Sequence, residues 1–398
     1  MKKTNTLLLP IYFLWVIVLM PKTVQLIIYV AFVFLLLRHF ELKAKKDTFI
    51  TLQIINMVVF GLSIVINLFN YHEASRIMAA FNTYFINVCA LIFYSIYKNN
   101  IRYINIPALK KSCMLNAAVL VLLFILYKSG ISLAFPSIIG KTISGADWLS
   151  GIYSPRFLGY LDYANAVVLF VLLLYPFAIR AIRRKSIVLV FSVFLWLTVI
   201  GTNSRTGLIL FSALTAFAVL SYDEKNFRFL IRNKKTIIFF SAILLILLSI
   251  LFYSSIYDRL SLLFESRTDS NGMRSLIYQE SISKMINDSP FIGKGIKDLI
   301  YPYNYPYGSH STYIGQLYRS GIIGGAIYLL SVLYIVKEIV KRKLKDNNDL
   351  LHRLSIICIF VFMIFEDIDG TNWGISLFYI SLGLFSGSSG KELKNETI

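Results

Sequence analysis

Charge is scarce in this chain. Only 15% of its 398 residues are Asp, Glu, Lys or Arg, against about 25% in a soluble protein. With 57% hydrophobic residues and a mean hydropathy of +0.67, an ordinary soluble domain is excluded and an integral membrane protein remains. Acidic residues are scarcer still, 21 against 40 basic, for a formal charge of +19. Such a surplus suits nucleic acid or anionic lipid. The Lys and Arg recur in short clusters between apolar runs instead of covering one face, so a nucleic-acid partner is not expected and the lipid bilayer is. Three cysteines, Cys89, Cys113 and Cys358, all lie inside apolar runs. They give neither a disulfide framework nor metal-ligand spacing and read as small apolar fillers. No P-loop, dinucleotide fingerprint or zinc pattern occurs, so ATP-driven transport has no support within the chain.

What is present is a succession of membrane-length runs. Crossing a ~30 Å hydrocarbon core takes roughly 20 apolar residues as a helix. Candidate spans fall near 6–21, 23–37, 49–69, 77–97, 113–128, 161–179, 186–201, 206–221, 236–253, 311–336, 354–367 and 373–387. The expected fold is an all-α integral membrane protein of about 12 transmembrane helices, residues 1–398 forming a single polytopic domain. Bulky Tyr12, Phe13 and Trp15 and the lack of a small-x-small site make 6–21 a first span, not a cleaved leader; because only Pro21-Lys22 separates it from the next run, a helical hairpin is the alternative. With both termini cytoplasmic, 27 of the 40 Lys and Arg fall on the inner side, as the positive-inside rule requires. That topology leaves two long outer segments. Residues 128–160 are rich in Gly and Pro and read as a loop with one short interfacial helix. Residues 254–310 form a large outer loop, too long for a connection without a role, and within it an amphipathic stripe runs from Asn271 to Asn287, suited to the bilayer surface.

The polar residues that could carry chemistry gather on the outer side. Of four histidines, His39 and His352 fall in basic inner loops and His72 in a short outer turn. Only His310 ends the long loop and precedes a helix, whose N-terminus would favour a neutral, proton-accepting ring; a capping role is the alternative. Arg156, Arg205 and Arg274 lie outside or at outer span ends, and Arg319 lies within a span, where arginine is costly and faces a cavity or a partner. Gathered on one side, arginines make a bidentate phosphate clamp. Arg76, in a short outer turn, is given no role. Tyr303, Tyr305 and Tyr307 sit in a run that two prolines should keep extended, and their rings suit sugar faces or the membrane interface. Glu366, Asp367 and Asp369 form the only dense outer carboxylate cluster, fit either for a divalent cation or for a solvated turn.

Ser204-Arg205-Thr-Gly207 at a span start, Arg274, Pro290-Phe-Ile-Gly293-Lys-Gly295, and His310-Ser-Thr-Tyr313 followed by Gly321-Ile-Ile-Gly324 together resemble the signature block of the bacterial O-antigen ligase and Wzy-type O-antigen polymerase family. The likeness runs over about 203–330, with a weaker upstream feature at Arg156-Phe-Leu-Gly159 and Asn165. Ser311 stands where many members have Asn. The resemblance implies a membrane glycosyltransferase at the outer face of the bacterial cytoplasmic membrane, building surface polysaccharide. It implies a donor glycan on polyprenyl (undecaprenyl) diphosphate, no metal and no cofactor, and a flippase and a chain-length regulator as partners. On that likeness Arg205 and Arg274, and with them Arg156, match the diphosphate-binding arginines, and His310 the essential histidine. Low-GC codon usage, read from abundant Lys, Ile and Asn, favours a polymerase over a ligase that moves a finished glycan to a lipid or protein. A lipid-linked oligosaccharide flippase is the third reading, disfavoured because few charges fall mid-span.

Overall fold

The computed structural model describes residues 3–40, 42, 47–70, 72–131, 141–146, 155–222, 268–342, 344 and 346–387. The expected span near 236–253, the first part of the large outer loop and the extreme termini lie outside the described residues. The chain opens with three short helices, α1 (Lys3–Thr6), α2 (Leu9–Tyr12) and α3 (Leu14–Leu19), and continues with α4 (Lys22–His39), α5 (Thr48–Asn67), α6 (Ala74–Asn99) and α7 (Ile106–Lys128). After these come α8 (Ala164–Ala178), α9 (Lys185–Gly201), α10 (Arg205–Leu220), α11 (Thr268–Asp288), α12 (Thr312–Lys341), α13 (Asn347–Phe365) and α14 (Asn372–Gly387). Among them α4 to α7, α8 with its short extension to Ala181, and α12 are long and apolar enough to cross a membrane, six among the described residues; α9 and α10 are shorter apolar helices. The chain is a multi-pass, mainly helical membrane protein.

Several helix starts are fixed locally, as capping side chains take up N–H groups that the helix cannot. Asp47 accepts from Phe49 N at 2.9 Å, Ser204 from Gly207 N and Ser311 from Ile314 N. The expected first span departs from its reading. Residues 6–21 are broken at Leu7-Leu8 and at Phe13, and Pro10 sits in the first turn of α2, where a missing N–H costs nothing. Leu7, Leu8, Ile11, Leu14, Ile17 and Val18 are buried in the common core instead of facing lipid. All three cysteines are buried and free.

The core centres on α8, nearly every residue of which is buried between α7, α13 and α14. Two further long pairs, α6 with α14 and α5 with α12, flank it. A Cβ at Gly387 would lie 2.5 Å from the Lys98 carbonyl oxygen, so glycine is what lets α14 approach the α6 backbone. His352, expected on a solvated inner face, is buried in α13 and bonded to Ser381 Oγ at 2.8 Å.

The site depends on a break in α12. Gly321 has φ 63 and ψ −167, a region open essentially to glycine alone. The backbone groups freed by the break are taken by the loop after α11. Lys294 N donates to Tyr318 O at 2.8 Å and Gly295 N to Arg319 O at 3.0 Å, while Ile322 N donates to Pro290 O at 2.9 Å and Ile323 N to Phe291 O at 3.1 Å. Irregular backbone inside a membrane protein persists where protein satisfies it. The sequence blocks around Gly293 and Gly321 are thus two halves of one contact: a Cβ on Gly321 would lie 2.3 Å from Phe291 O. From the other side, Ser63 Oγ of α5 donates to Gly293 O at 2.8 Å.

Two small antiparallel strand pairs complete the fold, β1 (Ser144–Ala146) with β2 (Pro155–Phe157), and β3 (Leu299–Ile300) with β4 (Tyr305–Pro306). The tyrosine-proline run is therefore a hairpin, not an extended strap: Ile300 faces Tyr305 across the pair, and Asn304 takes the left-handed φ of 57 that its turn needs. Within 128–160 the described residues form the β1–β2 pair, and the expected interfacial helix would fall on residues outside those described. The expected helix of the large outer loop is present as α11; Ile277, Ser281 and Met285 form its buried face, which packs on α12.

Gly321→Ala should therefore destabilise the protein by about 1–3 kcal/mol and lower its thermal midpoint in detergent. Gly272→Ala in α11, where a Cβ meets open space, should be neutral or stabilise by up to ~1 kcal/mol. Equal effects from the two substitutions would contradict this account of the break.

Candidate active site

The starts of α4, α6, α8, α12 and α14 and the end of α13 converge on one cavity of about 640 Å³, within the usual range for small-molecule sites of roughly 300–1,000 Å³. This is the end of the bundle that the charge asymmetry assigns to the outside. Arg156, Arg274, Tyr305 and His310 line it. Four sequence candidates thus meet although 154 residues of chain separate the first from the last.

The two arginines are drawn together by Glu366, one residue past α13. It is buried, and its Oε1 accepts from Arg274 Nη2 at 2.8 Å and from Asn165 Nδ2. Arg156 reaches the same group through Asn165, to which its Nη2 donates at 3.3 Å, while its Nε donates to Thr202 O at 2.7 Å. The Glu366 backbone carbonyl holds the start of α12, accepting from Thr312 N at 3.1 Å and Thr312 Oγ1 at 2.9 Å. Burial pushes the Glu366 carboxyl up to about 7, although Arg274 and Arg156 pull it down.

His310 lies at the lip of α12 with φ 63, its carbonyl accepting from Tyr278 Oη at 2.7 Å and its ring 5.9 Å from that of Tyr305. The helix start is capped by Ser311. The ring is kept neutral chiefly by burial, helped by the Arg274 charge, which together take it down to about 4.

The carboxylate cluster is neither a solvated turn nor a set of shared ligands, because each member has its own base. Glu366 pairs with Arg274, Asp367 with Lys297 Nζ at 2.6 Å, and Asp369 with Arg319. Lys297 also donates to Gly308 O at 3.0 Å, and burial lowers it to about 8. Among the described residues no group of three or more His, Cys, Asp and Glu is disposed to hold a metal ion. Arg319 beside the break is neutralised by Asp369, which also accepts from Gln316 Nε2 at 3.0 Å, and lies over the Phe60 ring at 5.3 Å.

Other candidates fall elsewhere. Arg205, first residue of α10, is not among the lining residues, though its turn touches the site through Thr202 O and Arg156. Tyr303 is at the hairpin tip, 48% exposed, and Tyr307 stacks on Tyr318 at 5.3 Å; neither lines the cavity, so of the three tyrosines only Tyr305 reaches it. His72 is tied at both nitrogens, to Asp298 Oδ1 at 2.8 Å and Asn67 O at 3.0 Å. Sequence reasoning missed Glu366 as the organising anion and Lys297 as a partner. It also set aside Arg76, which lines the cavity. The signal available for the first two was the only outer carboxylate cluster facing an excess of basic residues.

Residues 190–329 match the protein family described as O-Antigen ligase. Over those residues the chain is similar to that family. The match takes in Arg205, Arg274, His310 and both glycine blocks of the α12 break, and leaves Arg156, Arg76 and Glu366 outside. No curated protein matches the chain. The matched stretch thus runs from within α9 to within α12, and the elements outside it complete the cavity.

Two opposed titrations follow from the site. Below its folded value near 7 and above its ordinary 4.5, Glu366 is protonated when folded and ionised when unfolded, so its contribution to stability falls as pH rises. Between about 4 and its ordinary 6.5, His310 is neutral when folded and protonated when unfolded, so its contribution rises with pH. Each slope is at most ~1.4 kcal/mol per pH unit, and between pH 4.5 and 6.5 they oppose. Glu366→Gln should expose a thermal midpoint that rises with pH there. His310→Asn, tolerant of a positive φ, should expose one that falls. Parallel profiles for the two variants would contradict the placement of both groups.

Proposed function

We propose that the protein is a membrane glycosyltransferase that moves a glycan from polyprenyl diphosphate to a sugar hydroxyl at the outer face of the cytoplasmic membrane, acting as a polymerase of surface polysaccharide. The observation that carries this reading is that His310, Arg274 and Arg156 line one cavity in a chain whose residues 190–329 are similar to the O-antigen ligase family. In the reaction the acceptor hydroxyl oxygen forms a bond to the anomeric carbon and the bond from that carbon to the diphosphate oxygen breaks. Polyprenyl diphosphate leaves with the electron pair, and the hydroxyl proton passes to a His310 ring nitrogen. Arg274, with Arg156 behind it, stabilises the charge growing on the leaving diphosphate, as fixed donors do for other developing anions. Arg205 supports Arg156 through the shared turn. Tyr305 offers a ring face to a sugar.

A base near 4 is weak, and the chemistry supplies the remedy. An anionic diphosphate beside Arg274 offsets the positive charge that helps hold His310 down, so the ring becomes more basic once the donor is bound. The base is thereby switched on by the substrate. Pairing of Arg319 with Asp369 neutralises the main in-span charge on which a transporter reading could draw.

The test gives purified protein a panel of polyprenyl-diphosphate oligosaccharides. Longer glycans on the lipid are expected; transfer only to a non-polymeric lipid or protein acceptor would select the ligase, and no transfer would refute the reading. Arg274→Lys, which keeps charge but loses the fork, should lose most activity. His310→Asn should retain donor binding and lose roughly 10²–10⁴ in turnover. In the wild type the pH limb of kcat should lie above that of kcat/KM, since the first reports the donor complex and the second the free enzyme. Coincident limbs would contradict substrate activation of His310.

A further inference from the structure

The cavity holds more positive charge than one diphosphate engages. It is lined by six basic and three acidic side chains, a surplus of three. The acidic groups are matched one to one with Arg274, Lys297 and Arg319. Arg156 is held by Thr202 O and Asn165. Arg76 and Lys22 remain, on a wall built by the starts of α6 and α4, and neither has a carboxylate partner among the described residues. The wall is a fixed one: the Asn372 side-chain amide donates to Lys22 O at 2.8 Å and to Asn82 Oδ1 at 3.2 Å, tying α4 to α6. Arg76 lies six residues before Asn82, about 9 Å along the helix.

Arg76 differs from the diphosphate-side arginines in two ways. Its Nε is buried with no hydrogen-bond partner among the described residues, and a buried donor left unpaired is costly unless a ligand accepts from it. The charges that act most on His310 are Arg274, Asp367 and Lys297, and those on Glu366 are Arg274 and Arg156; Arg76 is in neither set. It belongs to the same cavity but not to the group around the leaving diphosphate. An arginine side that offers Nε–H together with Nη–H matches two oxygens of a carboxylate or a phosphate.

We infer that Arg76, assisted by Lys22, binds a carboxylate or phosphate carried by a sugar of the glycan, so that the protein works on acidic saccharides. The inference rests on the glycosyl-transfer reading for its context and names the substrate class of that site. Neighbouring Ser75, Asn82 and Thr83 supply hydroxyl and amide groups for the neutral part of the same sugar.

The test measures binding to the full-length protein in phosphatidylcholine nanodiscs, which carry no competing anionic lipid. The probes are a trigalacturonate, its methyl ester, an oligosaccharide bearing hexose 6-phosphate, its dephosphorylated form, and polyprenyl diphosphate. The wild type should bind at least one anionic sugar ~10-fold or more tighter than its neutral counterpart, and the uronate and phosphate arms tell which oxyanion is preferred. Arg76→Gln should reduce that preference to within about twofold and leave polyprenyl diphosphate affinity unchanged, which also reports intact folding; Arg76→Lys should fall between. A wild type with no preference for either anionic sugar overturns the inference. So does an Arg76→Gln variant that loses polyprenyl diphosphate as severely as Arg274→Gln does, since Arg76 would then serve the diphosphate. A wild type that ignores polyprenyl diphosphate yet keeps an Arg76-dependent preference would refute glycosyl transfer from that donor and leave this inference standing.

Discussion

A carboxylate buried among arginines organises this protein. Glu366 takes Arg274 from α11 and Asn165 from α8 on its side chain, and Thr312 from α12 on its backbone, at the point where α13 ends. Four helices and Arg156 are indexed to that residue. Burying a carboxylate is costly unless it is paired and fully hydrogen-bonded, so the group tolerates little rearrangement around it. The arrangement also holds Arg274 ready near the cavity while leaving it engaged. On the proposed chemistry a diphosphate competes with Glu366 for Arg274, and a carboxyl already pushed up to about 7 by burial can accept a proton as the new anion arrives. Charge inside the cavity then changes less than the ligand's own charge would suggest.

The second constraint is backbone geometry. The break at Gly321 lets the loop after α11 dock edge-on against α12, and the hydrogen bonds it donates and accepts there replace those of a continuous helix. That docking brings Lys297 to Asp367 and Arg319 to Asp369. Three salt bridges therefore line one short segment, residues 366–369, each tying it to a different stretch of the chain. Rigid positioning of this kind is what a site built on electrostatic stabilisation needs, because donors that must reorganise in the transition state lose their advantage.

Much of this was legible from residue order alone. Hydropathic length gave most helices, since a membrane rewards long apolar runs directly; it failed at 6–21, where breaks at Leu7-Leu8 and Phe13 interrupt the run and the core takes the side chains that lipid was expected to face. Arg156, Arg274 and His310 were singled out because each breaks local pattern in an outer segment. Arg205 shares those features but, as the first residue of α10, is not among the residues that line the cavity, a distinction that sequence spacing does not carry. Two prolines suggested an extended tyrosine run, whereas the cross-strand pairing of Leu299–Ile300 with Tyr305–Pro306 makes it a hairpin, and of its three tyrosines Tyr305 alone is among the cavity-lining residues. The pairings of Glu366, Asp367 and Asp369 span 50 to 92 residues of chain, and with no alignment of related chains nothing local reveals such partners. Arg76 was set aside for the same reason: its importance lies in what faces it across the cavity.

The most direct test of the account is the labelling rate of Ser309→Cys by a membrane-impermeant maleimide in intact cells, with and without added polyprenyl diphosphate. Ser309 lines the cavity beside His310, and the native cysteines are all buried, so the signal would come from that position. The account predicts labelling from outside the cell and a marked slowing when the donor lipid occupies the cavity. Labelling only after the inner face is exposed, or a rate indifferent to polyprenyl diphosphate, would contradict it.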